Sequence, residues 1–213
     1  MIKRTEIQKI VNDYDDLRIA VLGSHSALEI MDGAKDEGLE TIVFCQKGRE
    51  TPYQRFDRIA DEIKIVKKFS EMSSTKNQKM LRDTNTIIVP HRSLTAYLGY
   101  NVIENSLKVP IFGNRALFQA EERNNKKNQY YLLKKARIKY PKIFKNPKDI
   151  NRPVIVKVQE KKRKLERAFF TVSSFSDYKK KSADKIKQGI IAKNDLQNAV
   201  IEQLAIGTYL NFN

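Results

Sequence analysis

The first 118 residues alternate short β-forming runs with segments of helical spacing, and that alternation limits the fold more than any other property of the chain. The runs are Arg18 to Leu22, Thr41 to Cys45, Glu62 to Val66, Thr86 to Val89 and Val109 to Phe112. Helical patterns open the chain at Glu6 to Tyr14, recur at Ala27 to Glu37 and about Lys76 to Arg82, and return after Ser93. Strands separated by helices cannot pair through tight turns, so the pattern predicts a parallel sheet covered on both faces, an α/β, Rossmann-like domain. With right-handed crossovers, strands one and four lie side by side where the winding reverses, and ligands bind at the strand C-termini there.

The polar residues fall where that geometry would place a site. In LRIAVLGSHSALE, Gly23 breaks an apolar run and Ser24, His25 and Ser26 precede a helix. Such a strand, turn and helix aims unpaired N–H groups and the positive end of the peptide dipoles into one cleft, where an anion fits. The chain's only other histidine, His91, follows the fourth run in VPHRS, with Ser93 two residues on. Arg49 follows the second run, and Asn114 and Arg115 follow the fifth in FGNR. Two neutral imidazoles, a hydroxyl, an amide and two guanidinium groups suit a phosphorylated polar small molecule, because arginine forks grip phosphate through paired hydrogen bonds. Capping a helix or loop is the plainer role for any one of them alone; it is the convergence of both histidines that points to a site.

Composition sets the outer limits. The chain has 213 residues, 40% of them hydrophobic, enough for one large domain or two small ones. No apolar run approaches the roughly 18 to 20 residues that span a bilayer, and the charged start MIKRTEIQK lacks the apolar stretch of a signal peptide, so the expected place is the cytoplasm. The single cysteine, Cys45, ends the run TIVFC and reads as a buried reduced thiol. The net charge of +16 is uneven: Met1 to Phe118 carries 18 Lys and Arg against 16 Asp and Glu, and Gln119 to Asn213 carries 23 against 9. That basic second half is either a mostly solvated face or a surface for nucleic acid or another polyanion, although aromatic residues are not interleaved as base-stacking platforms would require.

The segments LGSHSALEI, KGRETPYQRF, IIVPHRS and VPIFGNR, in this order, resemble the N-terminal domain of the archaeal 5-formaminoimidazole-4-carboxamide ribonucleotide synthetases. The resemblance extends over nearly the whole chain and implies an ATP-grasp ligase of purine biosynthesis that joins formate to aminoimidazole carboxamide ribonucleotide (AICAR). It implies a pre-ATP-grasp domain over 1–118 and the first part of an α+β ATP-grasp domain over 119–213. The histidine of the GSH turn and the serine of the PH-x-S segment contact the ribonucleotide in that family, which carries over to His25 and Ser93. Arg49, His91, Asn114 and Arg115 complete the expected substrate site. Where the family often has Gly between His and Ser this chain has Arg92, a larger side chain that either alters the pocket or adds a phosphate contact.

The second half reads as an amphipathic helix over Lys126 to Arg137, a short strand at Lys142 to Phe144, and a hairpin of Val154 to Val158 with Arg167 to Val172. Ser176 is the expected cap of a lysine-rich helix over Asp177 to Gln188, followed by an apolar segment at Ala199 to Ala205 and a strand from Thr208. The resemblance implies that Lys157 contacts nucleotide phosphates and that Glu202, with the backbone around Gln203 and Leu204, holds adenine. ATP with Mg²⁺ is the implied cofactor, and AICAR, ATP and formate are the implied partners. Two departures stand out. Lys161, Lys162, Arg163, Lys164 and Arg167 replace the glycines of the phosphate-covering turn, so close backbone approach is replaced by side-chain charge. The sequence also stops where the second half of an ATP-grasp domain would begin, so the magnesium carboxylates are expected outside it and no metal ligand or catalytic residue is assigned. The alternative is a non-catalytic module that keeps the ribonucleotide pocket or uses its basic half for nucleic acid. Family members can assemble into homo-oligomers, and no segment identifies an interface.

Overall fold

The run RIAVL is apolar after its first residue, which suits a strand packed on both faces of a parallel sheet. A computed structural model describes residues 1–122, 125–158 and 169–208, and the chain divides into the units Met1–Gln119 and Ala120–Asn213. In the first unit the order is α1 (Arg4–Val11), β1 (Arg18–Leu22), α2 (Ala27–Asp36), β2 (Glu40–Gln46), α3 (Thr51–Arg55), β3 (Glu62–Val66), α4 (Thr75–Asp83), β4 (Thr86–Ile88), α5 (Arg92–Leu98) and α6 (Tyr100–Asn105). The four strands pair in parallel in the order β3-β2-β1-β4. Ile19 stands opposite Thr41 on one side and Ile87 on the other, so the first and fourth runs are neighbours.

Because successive side chains of a strand point to opposite faces, β1 feeds two cores. Ala20 and Leu22 pack with Phe44, Leu81, Ile88 and Leu94, while Ile19 and Val21 pack with Met31, Val43, Cys45 and Tyr53. Cys45 is a free, buried thiol, and burial pushes its pKa up to about 11. The Ser74 hydroxyl accepts the Asn77 N–H at 3.3 Å and starts α4. The opening helix lies earlier than its sequence pattern predicts and ends at Val11, ahead of the Asn12-Asp13 pair, whose side chains compete for backbone hydrogen bonds.

The expected fifth strand is corrected by the structure. Only Ile111 bridges the sheet, opposite Ile88, with the Ile88 N–H donating to Pro110 O and the Phe112 N–H donating to Ile88 O, each at 2.9 Å. Pro110 has no N–H to extend a ladder, and Gly113 turns the chain away at a φ of 89°. Arg115 then folds back on the segment it follows: its guanidinium donates to Leu107 O and Val109 O, each at 2.8 Å, and to Ile103 O.

The second unit contains α7 (Gln129–Lys135), β5 (Ile143–Phe144), β6 (Val154–Lys157), β7 (Phe170–Val172), α8 (Phe175–Lys187), α9 (Lys193–Gln197) and β8 (Val200–Gln203). Its antiparallel sheet has the order β5-β8-β6-β7, over a core that includes Phe144, Val154, Val156, Phe170 and Ile201. The hairpin pairs Val154 with Val172 and Val156 with Phe170. Ser174, not Ser176, caps α8, its hydroxyl accepting the Asp177 N–H at 3.2 Å; a cap must precede the N–H it binds by two or three residues, and Ser176 lies inside the helix. Asn128 caps α7 through the N–H groups of Tyr130 and Tyr131, and the helix is shorter than its amphipathic pattern. The basic turn at Lys161, Lys162, Arg163, Lys164 and Arg167 and most of the last expected strand lie outside the described residues. Among the described residues no helix is long and apolar enough to cross a membrane.

The Arg115 bonds carry a stability prediction. Substituting Arg115→Met leaves three backbone carbonyls without their charged donor, and the expected loss is about 1.5–3 kcal/mol per strong bond, offset in part by water entry. Urea unfolding followed by circular dichroism measures it; a variant as stable as the parent would show that the carbonyls are solvated without Arg115.

Candidate functional site

The turn after β1 exists because Gly23 does. A Cβ at that position would come within 2.9 Å of Tyr53 Cε2, 3.2 Å of Val43 Cγ2 and 3.3 Å of the Cys45 Cα, so any larger residue would force Tyr53 and β2 to give way at this close approach. The Gly23 N–H donates to Phe44 O at 2.8 Å and the Ser24 N–H to Leu22 O at 2.7 Å. The next residue, His25, adopts a φ of 49°, a left-handed conformation in which histidine is enriched among non-glycine residues. Its ring is exposed, and Nδ1 lies 2.6 Å from the Ser26 hydroxyl.

The turn after β4 meets it. His91 is extended and caps α5, and its ring stacks on His25 with centroids 6.0 Å apart and planes inclined by 16°. Nε2 lies 2.9 Å from Leu22 O, and Nδ1 receives the Ser93 N–H at 3.3 Å. A carbonyl only accepts and an amide N–H only donates, so Nε2 carries the ring proton and Nδ1 is bare. Burial lowers the His91 pKa below its ordinary 6.5; the neighbouring His25 adds to this, while the Leu22 carbonyl and Glu29 oppose it. Ser93 is buried and its hydroxyl donates to Ser24 Oγ at 3.2 Å.

Arg49 reaches the same end of the sheet from the loop after β2. Its guanidinium donates to Tyr97 Oη at 3.4 Å and lies 5.8 Å from the centre of the Phe69 ring. Tyr97 is one helical turn beyond Ser93 on α5, on the same side of that helix. Asn114 and Arg115 do not join this group. The Asn114 side chain accepts the Ala116 N–H at 3.0 Å, Arg115 is held by the carbonyls described above, and both line a hollow of about 440 Å³ with Lys3, Arg4 and Ile7. The sequence pattern missed Ser24 and Tyr97. Ser24 stood inside the turn already singled out, and Tyr97 is four residues from Ser93, a spacing that a count along the helix would have found.

In the second unit Glu202 is a buried carboxylate on β8. One oxygen pairs with the Lys157 ammonium from β6 and the other accepts the Tyr130 hydroxyl from α7. Position 202 stands opposite Ile155 in the sheet and 157 opposite Val200, a diagonal separation that long side chains bridge. The Gln203 N–H donates to Lys142 O at 2.8 Å and the Leu204 N–H to Pro153 O at 2.9 Å. Both amides are therefore engaged within the unit, and neither is left to donate to a ligand. Tyr130 had no sequence signal: it is 72 residues from Glu202.

Residues 19–144 match the model of a family described as "Protein of unknown function (DUF1246)". The chain is similar to 5-formaminoimidazole-4-carboxamide-1-(beta)-D-ribofuranosyl 5'-monophosphate synthetases of Methanopyrus kandleri, at 44% identity over 98% of this chain and 57% of that protein, and of Methanocaldococcus jannaschii, at 40% identity over the same shares. It thus spans 57% of the length of these two curated relatives. Its fold is similar to that of an IMP biosynthesis protein PurP from Thermococcus kodakaraensis, with a TM-score of 0.58 and 22% identity over 89% of this chain and 50% of that one. N5-carboxyaminoimidazole ribonucleotide synthetase from Thermotoga maritima gives a TM-score of 0.55 at 14% identity, over 89% of this chain and 46% of that one.

The lowered His91 pKa fixes the sign of a pH effect. In the unfolded chain the ring takes up a proton near its ordinary 6.5, whereas the folded ring resists it until the pH is lower. The stability it contributes is therefore present above about pH 6.5 and is lost as the pH falls through the folded value. Thermal melts from about pH 7.5 down to about pH 5 should show a decline that is shallower in His91→Phe than in the parent. Equal slopes would contradict the assignment of a neutral, doubly engaged ring.

Proposed function

The chain belongs to the DUF1246 family, and on that premise we propose that it supplies the ribonucleotide-binding domain and part of the ATP-binding domain of a ligase that formylates AICAR with ATP and formate. The observation that carries the reading is the meeting of the two histidine turns, His25 stacked on His91 and Ser93 bonded to Ser24, at the C-terminal ends of adjacent parallel strands. Relatives that are 40–44% identical to it over 210 aligned residues are named as synthetases of the formylated ribonucleotide.

In this reading the exposed His25 ring and the Ser93 hydroxyl bind the ribonucleotide, and Arg49 faces its phosphate. Lys157 moves from Glu202 to the phosphates of ATP, and Glu202 accepts the adenine amino group in place of the lysine. Gln203 and Leu204 border the base through their carbonyl edge, since their N–H groups are engaged in the sheet. The chemistry joins two steps: formate attacks the terminal phosphorus of ATP to give formyl phosphate and ADP, then the AICAR amine attacks the formyl carbon, phosphate leaves and the proton shed by the nitrogen goes to the departing phosphate. The protein's share is to hold the amine against that carbon and to offset charge on the transferred group. Magnesium accompanies ATP in this scheme. Among the described residues no group of three or more His, Cys, Asp or Glu side chains could hold a metal ion, and its ligands are proposed to lie in the part of the synthetases that this chain does not span.

Calorimetry with AICAR tests the pocket. The parent chain should bind, and His25→Ala and Ser93→Ala should each weaken binding about 10- to 100-fold; a parent that does not bind AICAR overturns the reading. Titration with a non-hydrolysable ATP analogue tests the second unit, where Lys157→Ala should lower affinity about tenfold or more. Unchanged analogue binding would remove Lys157 from the nucleotide site.

A further inference from the structure

His91 belongs to the candidate site by position, yet neither of its ring nitrogens is left to bond a ligand. Nε2–H is held by Leu22 O at 2.9 Å and Nδ1 by the Ser93 N–H at 3.3 Å. The His25 ring lies nearly parallel to that of His91, with centroids 6.0 Å apart. Each of these contacts links the end of β4 to something that a ligand would touch. The Leu22 carbonyl is the last of β1, one residue before the Gly23 turn that carries His25. The Ser93 N–H belongs to the residue whose hydroxyl faces Ser24 at 3.2 Å.

We infer that His91 is a positioning residue: its imidazole ties the end of β1 to the first turn of α5 and thereby fixes the His25 ring and the Ser93 hydroxyl in the arrangement that receives the ligand, without contacting the ligand itself. The inference rests on the ribonucleotide reading for the identity of the ligand and on the free protein alone for the tie. An imidazole is suited to the task because it is the one side chain that is rigid and planar and presents a donor and an acceptor on opposite sides of a neutral ring. The tie also supports a conformation that is costly by itself. His25 sits at a φ of 49°, and a left-handed residue outside glycine persists where its surroundings hold it. The groups that face His91 electrostatically are His25, from the β1–α2 turn, and Glu29, from α2.

The chain has only two histidines, so long-range ¹H–¹⁵N spectra of histidine-labelled protein contain two ring systems, assigned with His25→Ala. In the free parent near neutral pH, His91 should show a protonated Nε2 and a bare Nδ1; a protonated Nδ1, or a fully protonated ring, overturns the inference because the two bonds could not coexist. The second arm is His91→Asn. Asparagine keeps the cap, since its oxygen accepts the Ser93 N–H as histidine does, but it ends short of Leu22 O. Its melting temperature should fall by no more than a few degrees, the cost of one lost bond, while AICAR affinity falls about 10- to 100-fold and the His25 ring signals move. Parent-like affinity together with unmoved His25 signals overturns the tie. Large shifts of both His91 nitrogens when AICAR binds the parent would make His91 a ligand contact and also overturn it. If the parent does not bind AICAR, the ribonucleotide reading fails, and the tautomer and the His25 signals of His91→Asn still decide whether the tie exists.

Discussion

The candidate site depends on a constraint peculiar to parallel sheets. Neighbouring parallel strands cannot be joined by a tight turn, so each strand end feeds a loop that leaves the sheet, and two such loops meet only where the strand order reverses. β1 lies between β2 and β4, and the turns that leave β1 and β4 are the two that carry histidine. The close packing at Gly23 keeps the first turn low against β2. The His91 bonds to Leu22 O and Ser93 N–H hold the second turn against it. Alter the strand order and these residues would be unrelated.

Much of this was legible in the sequence because it follows from periodicity and from residue type. The four strand cores, the adjacency of the first and fourth, the meeting of His25, His91 and Ser93, and the β6–β7 hairpin all came from apolar runs and their spacing. What failed did so for local reasons. Val109 to Phe112 has the composition of a strand, but Pro110 removes a donor and Gly113 turns the chain away, so a single bridge forms. Ser176 looked like a cap because it precedes a lysine-rich run, although Ser174 holds the required spacing to Asp177.

The harder losses concern partners that have no sequence signature. Arg115 reads as a phosphate ligand in FGNR, and in the structure its donors go to carbonyls between Ile103 and Val109. Backbone carbonyls are present at every residue, so nothing in the sequence marks the ones that will face a guanidinium. The same holds for His91 and Leu22 O. In the second unit a lysine inside an apolar strand and a glutamate inside another were visible as anomalies, whereas their mutual neutralisation and the third partner, Tyr130, required the fold. A buried carboxylate with two donors is stable as it stands, and Glu202 has both of its oxygens engaged by Lys157 and Tyr130.

A crystal structure of the chain with AICAR tests the central claim most directly. The account predicts the ribonucleotide at the C-terminal ends of β1 and β4, with the His25 ring and the Ser93 hydroxyl within hydrogen-bonding distance and the His91 bonds to Leu22 O and Ser93 N–H intact. AICAR bound instead in the hollow between α1 and the Asn114–Arg115 segment, or anywhere away from the two histidine turns, would contradict it.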